Sequence, residues 1–75
     1  MSDHLDLTGL KCPLPVLRAR KALRGLVAGA EIEVSCTDPM SAIDIPNMVR
    51  EEGDTLIEQR TNTAGLFFKI RKGGQ

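Results

Sequence analysis

Cys12, Pro13, Leu14 and Pro15 stand together between an alternating apolar segment and a basic one, and of these Cys12 is the residue able to do covalent chemistry. Proline suits the first turn of a helix, where its missing N–H would have had no partner and its fixed φ is already helical. Pro13 therefore predicts a helix start, with Cys12 at or just before the N-cap. A thiol there lies at the positive end of the helix dipole beside free backbone N–H groups. Both favour thiolate, the nucleophilic form. Lys11, next in the chain, pulls the thiol pKa the same way. Pro15 still falls in the first turn and stiffens it. Leu14 projects to the basic side of the helix, either as an ordinary exposed leucine or as part of a docking surface.

The groups that would turn this thiol into a hydrolase are missing. A cysteine hydrolase needs a general base beside its nucleophile. The one histidine, His4, opens the preceding strand, at roughly 3.3 Å per residue from the thiol, and reads as an exposed terminal residue. There is no phosphate loop, no GxGxxG and no paired carboxylate at a cleft. The spacing of Cys12 and Cys36 fits neither a zinc site nor a CxxC redox pair, so nothing in the pattern asks for a metal or an organic cofactor. An activated, exposed thiol without a base fits a group carrier, which takes a group covalently and hands it on.

Elements of simple periodicity must position Cys12. Leu5 and Leu7 alternate with polar residues over 4–8, a first strand. Val16, Ala19, Leu23, Leu26 and Val27 recur at helical spacing, with Arg18, Lys21 and Arg24 opposite, and predict a helix over about 13–27 that Gly29 stops, Gly25 being an earlier candidate. Residues 31–37 alternate as a half-buried strand with Ile32, Val34 and Cys36 inward. Asp38-Pro39 repeats the signal of a cap followed by proline. Pro46 within the next helical pattern predicts a kinked or two-part helix over about 39–52, with Asp44 capping the fresh start and Gly53 ending it. Strands over 55–61 and 66–72 follow, joined by the hairpin loop Asn62-Thr63-Ala64-Gly65, with Leu66, Phe68 and Ile70 inward. Gly73-Gly74-Gln75 reads as a frayed end. The order β-α-β-α-β-β predicts an α/β two-layer sandwich, two helices on one face of a four-stranded mixed sheet whose first two strands are parallel.

The 75 residues allow one small domain, 1–75. Two cysteines, no apolar leader and no apolar run near the ~18 residues of a membrane span predict a reduced, cytoplasmic protein without membrane contact. Net charge is zero but uneven: 11–24 carries five basic residues and no acid, while 31–58 carries eight acids against Arg50 alone. The basic face is either a solvated helix surface or a dock for an acidic protein partner through Arg18 and Lys21. Neutral balance and the lack of Trp and Tyr argue against direct nucleic-acid binding.

Parallel strands end on the same sheet edge, so Cys12 and Asp38 should meet there. Asp38 has two readings, as a helix cap or as a neighbouring charge that raises the thiol pKa against the helix and Lys11. Cys36 also ends its strand at that edge. Its parity places it in the core, and the alternative is a redox or sensor protein in which Cys36 resolves an oxidised Cys12.

The motifs Gly9-Leu10-Lys11-Cys12-Pro13-Leu14-Pro15, Asp38-Pro39, Asp44-Ile45-Pro46 and Ile70-Arg71-Lys72-Gly73-Gly74, in this order and over nearly the whole chain, resemble the TusA/SirA-like family of small sulfur carriers. The resemblance implies the same β-α-β-α-β-β sandwich. It implies that the CPxP cysteine, here Cys12, receives sulfane sulfur as a persulfide from a cysteine desulfurase or rhodanese-like donor. The sulfur then passes to a cysteine of the next relay protein, in tRNA 2-thiouridine synthesis or in a related pathway such as sulfur oxidation or molybdenum cofactor sulfuration. Gly9, Lys11, Pro13, Leu14, Pro15 and Asp38 are then the residues that position Cys12. The family requires no second cysteine, so Cys36 has no implied role.

Overall fold

The computed structural model describes residues 3–73, so Gly74 and Gln75 of the expected frayed end lie outside it. Period-two segments form β1 (Asp3–Leu7), β2 (Glu31–Cys36), β3 (Thr55–Asn62) and β4 (Gly65–Arg71), and helical spacing forms α1 (Leu14–Arg24) and α2 (Ser41–Glu51). The strands make one sheet in the order β1-β2-β4-β3. β1 runs parallel to β2 with Leu7 opposite Cys36, and β4 is antiparallel to both β2 and β3. This is the expected two-layer sandwich. Leu7, Ile32, Val34, Cys36, Leu66, Phe68 and Ile70 line one sheet face and bury against Ala19, Leu23, Ile45, Met48 and Val49 of the helices.

The first helix is shorter than expected at its C-terminus. It ends at Arg24 with Gly25 as cap, and Leu26 N–H turns back to Leu23 O at 3.1 Å. Val27, expected in the core, lies past the end and is 76% exposed. Gly29 does not stop the helix. It adopts φ +87°, where glycine carries no penalty, and its N–H donates to Lys72 O at 3.0 Å, extending the β2–β4 ladder.

α2 is one continuous helix rather than two pieces, and Pro46 lies inside it. Pro46 has no N–H to give the carbonyl four residues back, that of Ala42. Gln59 of β3 donates its side-chain amide to that oxygen at 3.3 Å, so the helix runs on with its freed acceptor satisfied. Gly53 ends α2 as expected: Asp54 N–H donates to Val49 O and Gly53 N–H to Arg50 O, the Schellman pattern.

Strand ends move by one residue. Thr8 leaves β1 because its N–H and hydroxyl both donate to Asp6 Oδ1, at 3.0 and 2.7 Å. The hairpin is tighter than expected, since Asn62 pairs with Gly65 and only Thr63 and Ala64 remain as loop. Gly65 is obligatory there: a Cβ would stand 2.6 Å from Cys36 O. Gly73, expected to fray, is instead held by Asp54 Oδ1, which accepts its N–H at 2.8 Å. Among the described residues no helix is long and apolar enough to cross a membrane.

Candidate functional site at Cys12

Parallel pairing brings the carboxyl ends of β1 and β2 to one edge, and the loops leaving that edge are cross-linked. Gly9, at φ +83°, turns the chain away from β1 and donates its N–H to Thr37 Oγ1 at 2.8 Å. Cys12 N–H donates to Asp38 Oδ2. The other oxygen of Asp38 accepts Met40 N–H at 3.1 Å, closing the turn that leads into α2. The helix-cap reading of Asp38 is corrected: α2 begins at Ser41 with Met40 at its N-cap and no side-chain cap, so Asp38 closes the turn before the helix, while its charge lies beside the thiol, in line with the second reading.

Pro13 sits one place earlier than expected, at the N-cap, with Leu14 as the first helical residue. Cys12 thus precedes the cap, across a cis Cys12–Pro13 bond. Lys11 O accepts Leu14 N–H at 2.9 Å, and Pro15 turns inward and is buried. The loop is fastened at both ends and its cysteine is exposed.

A carboxylate that the sequence reading treated as a helix cap reaches the thiol. Asp44 lies in the first turn of α2, and Cys12 Sγ donates to its Oδ2 at 3.5 Å. This hydrogen bond, some burial and the charges of Asp44 and Asp38 hold the Cys12 pKa above the usual thiol value. Of the two directions left open by the sequence, the carboxylates prevail over the helix terminus and Lys11, because ionising the thiol would lose the hydrogen bond and set an anion against two carboxylates. The signal for Asp44 was its place in the first turn of a helix that begins at the same edge as Cys12.

The alkylation rate of Cys12 by iodoacetamide, which follows the thiolate, should therefore rise with pH along a curve displaced to higher pH than that of an unstructured cysteine peptide. Asp44→Asn should move the curve back toward lower pH. A curve lying below that of the peptide and unmoved by this substitution would return control to the helix terminus.

The basic residues of α1 divide. Arg24 makes two hydrogen bonds to Glu52, at 2.8 and 3.1 Å, and Arg20 approaches the same carboxylate at 3.8 Å, tying α1 to the end of α2. Arg18 and Lys21 are exposed, as is Lys11, and none of the three makes an ion pair among the described residues. Leu14 and Leu17 on the first turns of α1, with Met40 and Ile43 at the start of α2, are exposed apolar side chains on the two helix ends that meet at Cys12 and Asp44. Of these the sequence reading had singled out only Leu14. Cys36 is 1% exposed, and burial pushes its thiol pKa up. His4 lies on the outer sheet face with Nε2 3.3 Å from Ser35 Oγ, away from the site edge.

The family model described as Sulfurtransferase TusA matches residues 3–72. The sulfur carrier protein TusA of Allochromatium vinosum is 38% identical over 70 residues, covering 93% of this chain and 92% of its own. That of Pseudomonas putida is 38% identical over 68 residues, covering 91% and 85%. The crystal structure of a SirA-like protein from Desulfitobacterium hafniense superposes with a TM-score of 0.81 at 31% identity, covering 97% of this chain and 99% of that one.

Proposed function

This chain belongs to the TusA sulfurtransferase family, and on that premise we propose that Cys12 accepts a sulfane sulfur as a persulfide and passes it to a cysteine of the next protein in a relay. The observation that carries the reading is the contrast between the two thiols: Cys12 is exposed on a fastened loop, and Cys36 is buried. In loading, Cys12 Sγ attacks the outer sulfur of a donor persulfide. The Sγ–S bond forms, the donor S–S bond breaks, and the Cys12 proton ends on the departing donor thiol, with no net oxidation. Delivery is the same exchange with Cys12 as the leaving thiol.

A cysteine desulfurase or rhodanese-like protein is the donor. Its sulfur-bearing loop meets the apolar side chains of Leu14, Leu17, Met40 and Ile43, and Arg18 and Lys21 steer it toward the site through acidic groups of its own. The receiving relay serves tRNA 2-thiouridine synthesis or a related sulfur-trafficking pathway.

The test is intact-protein mass spectrometry after incubation with a cysteine desulfurase and cysteine, or with a rhodanese and thiosulfate. The expected result is a gain of one sulfur atom from at least one donor, removed by reductant. No gain from either, with loss of two hydrogens to a Cys12–Cys36 disulfide on mild oxidation, would overturn the reading in favour of redox chemistry.

A further inference from the structure

Five charged groups stand on the elements around Cys12, and two of them, Asp44 and Asp38, hydrogen-bond it. Asp44 of α2 accepts its S–H, Asp38 from the β2–α2 connection accepts its backbone N–H, Lys11 adjoins it in the loop, and Arg18 lies further along α1. Asp6 at the end of β1 is turned onto Thr8. The first turn of α1 holds no acid, so the carboxylates touching Cys12 come from the β2–α2 side.

We propose that Asp44 weakens the hold of Cys12 on sulfur, favouring the empty thiol over the loaded persulfide, so that delivery becomes more favourable and loading less favourable by the same factor. The proposal rests on Cys12 being the loaded residue. A persulfide is more acidic than its parent thiol, so over a range around neutral pH the loaded side chain is an anion while the empty one keeps its proton. The empty thiol donates that proton to Asp44. Loading removes the donor and adds a sulfur at a bond length of about 2 Å, placing a full negative charge among Asp44 and Asp38. The empty state is thereby stabilised and the loaded state destabilised.

The exchange that reports this is Cys12–S–S⁻ + R–SH → Cys12–SH + R–S–S⁻. The Sγ–S bond breaks, an S–S bond forms on R, and one proton moves from R to Sγ. Charge and oxidation level are conserved.

Glutathione and its persulfide serve as R, being small enough to bypass partner docking, and intact mass gives the loaded fraction at equilibrium. Asp44→Asn should raise the equilibrium constant for loading about fivefold near neutral pH, the order of the Coulomb penalty between unit charges ~4 Å apart in water. Asp44→Glu, which keeps the charge, should stay near the native value. The gain should shrink at low pH, where the persulfide protonates, and at high pH, where the thiol ionises, because empty and loaded forms then carry equal charge. A general loosening of the loop would not produce such a window. A constant that Asp44→Asn lowers, or leaves within about twofold of native, overturns the proposal, as does a rise that is flat with pH. If native Cys12 takes up no sulfur from glutathione persulfide or from a protein donor, the carrier reading itself fails instead.

Discussion

Cys12→Ser should abolish sulfur loading while leaving the fold intact, and Cys36→Ser should load like the native chain. The first half follows from chemistry: a hydroxyl does not attack sulfane sulfur at neutral pH, because the nucleophile in this exchange is the thiolate. The fold should survive because Cys12 is exposed and is fixed through its backbone N–H to Asp38, a bond that serine keeps. The second half follows from burial. Cys36 packs in the core with Val34, Ile45 and Phe68, so a donor protein cannot reach its sulfur without opening the sheet–helix interface. Cys36→Ser should act on stability instead, since a hydroxyl placed there costs about 1–3 kcal/mol unless it finds a partner. Mass spectrometry of both variants after desulfurase treatment, with a thermal melt of each, separates the two effects. Loading that survives in Cys12→Ser would remove Cys12 from the mechanism. Loss in Cys36→Ser, with its melt still cooperative, would bring the buried thiol into it.

The fold was legible wherever a local rule met no competing partner. Leu66, Phe68 and Ile70 alternate inward, Gly53 ends its helix, and the parallel edge joins Cys12 to Asp38, all as the periodicity and turn residues required. Some misses are local, as where Asp6 draws Thr8 out of β1 and Gly25 ends α1 early, and others arise where a residue distant in sequence intervenes. Pro46 predicts a kinked or two-part helix, and α2 is not split: Gln59 of β3 takes over the freed Ala42 carbonyl. Gly29 reads as the stop of α1, but the helix has already ended at Arg24 under its Gly25 cap, and Lys72 engages Gly29 as an extension of the ladder. The site shows the same division. Cys12 and its prolines announce themselves through helix-start chemistry, whereas the sign of its pKa shift depends on Asp44, thirty-two residues away and invisible to any local rule. A helix terminus is a fractional charge acting near its end, and two full carboxylates beside the sulfur outweigh it.

Phe68→Ala should cost about 3–5 kcal/mol, the usual range for emptying a core aromatic site. Phe68 stands opposite Val34 on one side and Gln59 on the other, in the middle of β4, and is 1% exposed. Its ring belongs to the single cluster in which Leu23 of α1 and Ile45 and Met48 of α2 close over the sheet. No other aromatic is available to fill the space, because Phe67 alternates to the outer face. A chain of this length has about 4–11 kcal/mol of stability in total, so the loss takes a large share of it. The expected readout is a urea midpoint lowered by roughly half, with the slope unchanged if unfolding stays two-state. Phe68→Leu, which keeps an apolar side chain in the site, should cost distinctly less. The consequence reaches the loop: Phe68 lies one inward step along β4 from Leu66, which pairs with Cys36 at the edge where Asp38 holds Cys12. Sulfur loading of Phe68→Ala should therefore fall with temperature in step with its melt, well below the temperature at which the native chain stops loading. An unfolding free energy within about 1 kcal/mol of native would mean that the helix layer collapses into the vacated space, and that the core is less closely fitted than its burial indicates.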